Sequence, residues 1–146
     1  MTEGAPDLFD QLYAAAVSAR VDAYAPYSNF TVGAAALVFG GSGHGLGVPR
    51  IVTGCNVENA SYGLTLCAEC GVVSELHASG GGELAALICV GGDAGADPRI
   101  VMPCGRCRQL ISEHAAASFV LQGLDREYSM EELLPAAFSA DEVRPG

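Results

Sequence analysis

Leu8, Leu12, Ala15 and Ala16 recur at helical spacing within DLFDQLYAAAVSARVDAY (7–24), with polar residues between them. This periodicity predicts an amphipathic helix that closes near Pro26. The pattern then changes. FTVGAAALVF (30–39) and RIVTGCNV (50–57) are runs of small and β-compatible residues, which read as the two strands of a hairpin. Helical spacing returns from Cys67 to about Ser79 and stops at GGG (80–82). LAALICVGG (84–92) and RIVM (99–102) read as strands, and PCGRCRQLISEHA then opens a helix with proline at its start. SFVLQG (118–123) reads as a last strand, and SMEELLPAAF (129–138) as a short helix opened by Ser129. Helix, hairpin and then strand–helix alternation predict a mixed sheet with helices on it, in a single domain over residues 1–146.

Composition narrows the class. Half of the 146 residues are apolar, enough for a full hydrophobic core. The glycine-rich stretch GGSGHGLGVP (40–49) lacks the Gly-Lys-Ser/Thr ending of a phosphate loop and reads as a linker. MTEGAPDLFD is acidic and has no secretory pattern, and runs such as LAALICV (84–90) are too short to span a bilayer. The expected location is cytoplasmic, with no membrane partner. Seven basic against seventeen acidic residues give a formal charge of −10, which repels nucleic acid and suits a small neutral ligand.

In a reducing compartment, six cysteines at these spacings favour metal binding or burial over disulfides. Cys55 and Cys89 lie inside apolar runs and read as small buried hydrophobes. The other four fall in LCAEC (66–70) and MPCGRC (102–107), close to Glu69. Cys104 and Cys107, one helical turn apart, can both face one ion at a Zn–S distance of ~2.3 Å. Two sites follow. A closed one binds Cys67, Cys70, Cys104 and Cys107, and would make the chain a non-catalytic zinc module. An open one uses Cys67, Cys104 and Cys107 and leaves the fourth position to water, as catalytic zinc sites do. Only the open site gives Glu69 a task, because a carboxylate two residues after a ligand can exchange protons with that water. Zinc deaminases carry this arrangement, a His/Cys-x-Glu segment followed by Pro-Cys-x-x-Cys. The open reading leaves Cys70 over.

TGCNVENASYGLTLCAE together with PCGRCRQ resembles the small homotetrameric cytidine deaminases, and the similarity runs from about Tyr24 to Phe138. The resemblance implies a three-layer α/β/α sandwich around a mixed sheet of about five strands. It implies one Zn2+ per chain on Cys67, Cys104 and Cys107, and Glu69 as the catalytic proton shuttle. The implied substrate is cytidine or deoxycytidine, with Asn56 and Glu58 on the ribose hydroxyls and Phe30 lining the base pocket. The backbone amide of Ala68 would orient substrate or water. Tyr62 and Phe138 match aromatic positions at a site completed across subunits of a homotetramer; ordinary core packing is the alternative for both.

Many members of that family carry arginine directly after Cys-Ala-Glu, where it offsets thiolate charge; Cys70 stands there instead. Arg106, between the two later ligands, is the expected replacement, with a solvent-facing arginine as the alternative. The same departure brings in blasticidin S-type deaminases, which share Cys-Ala-Glu and PCGRCRQ but do not resemble this chain in NVENASYG. His44, His77 and His114 are expected at the surface.

Overall fold

The computed structural model describes residues 7–42 and 48–144, so His44 and half of its glycine-rich linker lie outside the described residues. The first helix, α1 (Leu8–Arg20), is opened by Asp7, whose carboxylate accepts from the Leu8 N–H. It ends at Arg20 and not near Pro26, because the N–H groups of Val21, Asp22 and Ala23 turn back onto the carbonyls of Ser18, Ala19 and Arg20. That three-residue spacing tightens and closes the last turn.

β1 (Phe30–Phe39) and β2 (Arg50–Cys55) form the expected antiparallel hairpin, with Ala35 opposite Thr53. α2 (Ala68–Ala78) follows and ends where Gly80 and Gly81, at φ 115° and 80°, carry the chain through the left-handed region. The Gly81 and Gly80 N–H groups satisfy the Leu76 and His77 carbonyls there. β3 (Glu83–Asp93) then pairs antiparallel with β1. β4 (Arg99–Ile100) pairs with Val90 and Gly91 at the far end of β3. After α3 (Gly105–Ser112), β5 (Ala115–Gln122) lies parallel to β3.

β6 (Glu127–Ser129) adds a sixth strand beside β5, giving the order β2-β1-β3-β5-β6 with β4 on β3. The sequence predicts about five strands, and a three-residue strand is too short for an alternating pattern to reveal. The last helix, α4 (Met130–Leu133), is also shorter than the expected 129–138. Ser129 and Glu132 cap it reciprocally, and Pro135 holds the preceding residue out of the helical region.

Alternating residues of the sheet face two cores. Ala34, Ala36, Leu87 and Cys89 pack with Val72 and Leu76 of α2 and Ile111 of α3. Ala35, Ala86, Ile88 and Val90 pack with Leu12 and Ala16 of α1 on the opposite face. Each fully buried leucine contributes about 1.5–3 kcal/mol of transfer free energy, so the α2/α3 face is firmly seated. The result is the expected α/β/α sandwich. Two glycines set how closely α2 seats: a Cβ on Gly54 of β2 would collide with the Ala68 carbonyl, and one on Gly71 would come within 2.9 Å of Gly54 Cα. The first turn of α2 is thereby held against the sheet.

Candidate active site

Cys67 and Cys104 are the N-cap residues of α2 and α3, both with extended backbone (ψ 161° and 169°). The two helix starts bring the Sγ atoms of Cys67, Cys104 and Cys107 within 4.8 Å of one another. The Cys67–Cys104 separation is 3.7 Å. Tetrahedral coordination at Zn–S ~2.3 Å needs sulfurs roughly 3.8 Å apart, so the cluster has the size of a zinc site. Its protonation is consistent with that. Burial pushes the Cys67 and Cys107 thiols up, and the Glu69 carboxylate adds to the effect. Burial acts the same way on Cys104, but the Cys107 backbone N–H and the neighbouring thiols outweigh it and hold Cys104 below its ordinary value. Three sulfurs and a carboxylate this close resist becoming anionic together, and a dication reverses that balance.

Beside the cluster lies a cavity of about 260 Å³. Phe30, Val32, Val101 and Met102 form its apolar wall; Asn56, Thr65, Ala68 and Glu69 line it together with Cys67 and Cys104. Glu69 is 4% exposed and, among the described residues, receives one hydrogen bond, from Cys89 Sγ at 3.3 Å. A larger cavity of about 410 Å³ lies against α1 around Arg20 and contains none of these residues. There the Arg20 guanidinium is occupied by the Thr31, Asp93 and Ala96 carbonyls, so the chemistry belongs to the smaller cavity.

The remaining expected residues divide. Phe30 stands at the cavity, with the Arg99 guanidinium 5.5 Å over its ring. Asn56 is buried, and its amide is tied to β1: Oδ1 accepts from the Val32 N–H at 2.8 Å and Nδ2 donates to the Phe30 carbonyl at 2.9 Å. Glu58 lines an adjoining hollow with Tyr27, Ser28, Tyr62 and Thr65. Its carboxylate accepts from the Ser28 and Tyr27 N–H groups, and the Ser28 bond leads in holding it below the usual carboxylate range. Tyr62 is 77% exposed and Phe138 57%, so neither is packed in the core of a single chain. Phe138 does not reach the cavity, and borders a separate hollow with Ser112 and Glu113.

Cys70 stands outside the cluster. Its Sγ meets Arg106 Nη2 at 3.2 Å, and the same guanidinium donates to the Thr65 carbonyl. The closed four-cysteine arrangement is therefore not the one the chain forms. Cys55 is half-buried, less enclosed than its apolar run suggests. His77 is exposed as expected, whereas His114 is half-buried and meets it edge to face with ring centroids 4.9 Å apart.

Sequence reasoning missed Cys89, Val101, Met102 and Thr65 as neighbours of the site. Alternation along β3 puts Cys89 on the same face as Leu87, but which face meets α2 is a property of the assembled sheet. Burial, then Glu69, keep the Cys89 thiol well above its ordinary pKa, so it donates as a neutral S–H.

A buried carboxylate beside a three-sulfur cluster, two of whose thiols line the same cavity, is the equipment of a hydrolytic zinc enzyme for a small molecule. The sequence model of the cytidine and deoxycytidylate deaminase zinc-binding region matches residues 8–122, and the chain belongs to that family. It is 49% identical over 139 residues to a cytidine deaminase of Mycobacterium tuberculosis, covering 94% of this chain and 96% of that protein. It is 40% identical over 133 residues to the cytidine deaminase of Halalkalibacterium halodurans, covering 88% and 92%. The crystal structure of cytidine deaminase from Mycobacterium tuberculosis matches with a TM-score of 0.76 at 50% identity, covering 91% of this chain and 98% of that one. That from Mycobacterium leprae matches with 0.75 at 48%, covering 89% and 99%.

Proposed function

We propose that this chain is a cytidine deaminase, hydrolysing cytidine and deoxycytidine to uridine and deoxyuridine with release of ammonia. The observation that carries the reading is the three-sulfur cluster and the buried Glu69 at one cavity. When held by Cys67, Cys104 and Cys107, zinc supplies a Lewis acid that makes water nucleophilic at neutral pH.

The chain's own residues do the rest. Phe30 stacks on the pyrimidine, and the apolar wall around it keeps bulk water out. Glu69 takes a proton from the attacking water and passes it to N3 of the ring, while the water oxygen bonds to C4. Glu69 then carries the second proton to the amine, the C4–N bond breaks and ammonia leaves. The Ala68 backbone, at the helix start, orients the substrate or the water. Asn56 keeps one N–H and one lone pair beyond its bonds to β1, and these with the Glu58 carboxylate take the ribose hydroxyls. A carboxylate at that end repels a 5′-phosphate, which makes nucleosides and not nucleotides the substrates. NVENASYG (56–63), read as the ribose-binding segment and not shared with blasticidin S-type deaminases, favours cytidine over blasticidin S.

Arg106 offsets part of the cluster's negative charge from the rim. The working form is a homotetramer whose sites Tyr62 and Phe138 complete across subunits; their exposure, and that of Tyr24, Leu64 and Leu66, supports this. Residues 1–146 belong to one domain in each subunit. No helix among the described residues is long and apolar enough to cross a membrane, and all six cysteines are unpaired, which suits a reducing cytoplasm. The reaction is tested by isotope: in heavy-oxygen water the uridine formed gains one heavy oxygen and one ammonia appears per uridine. Uridine formed without the label contradicts hydrolysis at C4.

A further inference from the structure

Cys89 is a buried nucleophilic group that the proposed reaction leaves without a task. It lies 1% exposed in the middle of β3, opposite Ala34. Its neighbours on that face, Ala34, Ala36, Leu87 and Val72, are all apolar. The thiol is the one polar group the strand presents there, and its Sγ donates to Glu69 Oε1 at 3.3 Å. No other hydrogen bond among the described residues reaches the Glu69 carboxylate, and Glu69 lines the cavity.

We infer that Cys89 is a positioning residue for the deamination, its thiol pinning one oxygen of Glu69 so that the other is presented to the cavity in a fixed rotamer. The inference rests on the reading of Glu69 as the proton carrier. A glutamate on the first turn of a helix has several rotatable bonds, and proton transfer needs its oxygen within hydrogen-bond reach of both water and ring. The apolar wall offers no other anchor. A thiol is a weak donor, so it fixes direction without occupying the carboxylate strongly. The sheet supplies rigidity: β3 is flanked by β1 on one side and by β4 and β5 on the other, and the Cys89 carbonyl accepts from the Val101 N–H at 3.0 Å. Small errors in the placement of a catalytic group cost large factors in rate, which gives such an anchor its value.

Two variants of the zinc-loaded protein separate positioning from packing. Cys89→Ala keeps nearly the same volume and removes the donor; Cys89→Ser keeps a donor at the same Cβ. The expected result is a kcat about tenfold lower in Cys89→Ala, with KM and zinc content unchanged, and recovery of most of that loss in Cys89→Ser. A wild-type kcat in Cys89→Ala, or a loss that Cys89→Ser repeats in full, overturns the inference. A second readout is independent of turnover. The S–H stretching band, isolated as wild type minus Cys89→Ala in the infrared, should lie below that of a free thiol and move when Glu69→Gln is introduced. A band that Glu69→Gln leaves in place overturns the contact itself. Wild-type protein assayed in parallel keeps the two readings apart, because an inactive wild type defeats the deaminase reading while the infrared band still decides the contact.

Discussion

Arg106 reaches from the first turn of α3 to the first turn of α2, its Nη2 3.2 Å from Cys70 Sγ and 3.2 Å from the Thr65 carbonyl. A guanidinium thus spans the two helix starts that carry the sulfur cluster. Three thiolates on one dication would leave a net negative charge, and the role proposed for Arg106 is to offset it from the rim. Arg106→Ala is expected to weaken zinc retention by roughly 10- to 100-fold, the usual effect of losing a partner behind the ligands. Competition with a chromogenic chelator measures it, and unchanged retention rejects the charge-compensation role.

Cys70→Ser should behave differently. It removes a thiol that lies outside the cluster, so one zinc per chain and the turnover both remain. Loss of the metal in Cys70→Ser, measured by elemental analysis, would restore the closed four-cysteine site.

Glu69→Gln is nearly isosteric and leaves the three sulfurs in place. It should keep the zinc and the fold and lose at least about 100-fold in turnover, the lower end of what general acid–base catalysis contributes. Near-wild-type turnover with bound zinc removes Glu69 from the chemistry.

Gly54→Ala tests the seating of α2. A Cβ there collides with the Ala68 carbonyl and comes within 2.7 Å of the Val72 nitrogen, so the first turn of α2 must move away from β2. Overpacking of this kind costs about 1–3 kcal/mol, and the shift displaces Glu69 with it. Both a lower midpoint of thermal unfolding and a lower kcat are expected; an unchanged kcat would show that the first turn tolerates the displacement.

How far the site was legible depends on the residue. Glu69 and the Cys104–Cys107 pair lie within one turn of a helix start, where spacing alone fixes their neighbourhood. The role of Cys70 does not follow from spacing. Both Cys-x-x-Cys segments have the same local geometry, an extended N-cap cysteine and a second cysteine in the first turn. Only Cys107 reaches the cluster, because the tilt of each helix on the sheet decides which way its first turn faces. Cys89 was illegible for a similar reason, since its partner Glu69 is brought to it by the sheet and not by the sequence. In the fold, β6 escaped notice because three residues carry too little pattern. The hairpin, by contrast, follows directly from two runs of β-compatible residues around a glycine-rich linker.

His114 gives a pH dependence of stability. Burial, then the neighbouring His77, hold its pKa below the ordinary value of 6.5, with Glu113 opposing. The unfolded chain therefore binds this proton more readily than the folded one. The stabilising contribution is present above pH 6.5, declines as pH falls below it, and levels off below the folded-state value. His114→Gln should flatten the wild-type fall in unfolding temperature between about pH 7 and pH 5.5. An equal fall in both proteins assigns it to other groups.

With zinc held by Cys67, Cys104 and Cys107, the chain is expected to deaminate cytidine through Glu69. An ultraviolet absorbance time course of cytidine with the purified, zinc-loaded protein tests it most directly. The expected result is conversion of the cytidine spectrum to that of uridine, abolished by a chelator and restored by added zinc. An unchanged cytidine spectrum over a folded, zinc-containing sample would contradict it.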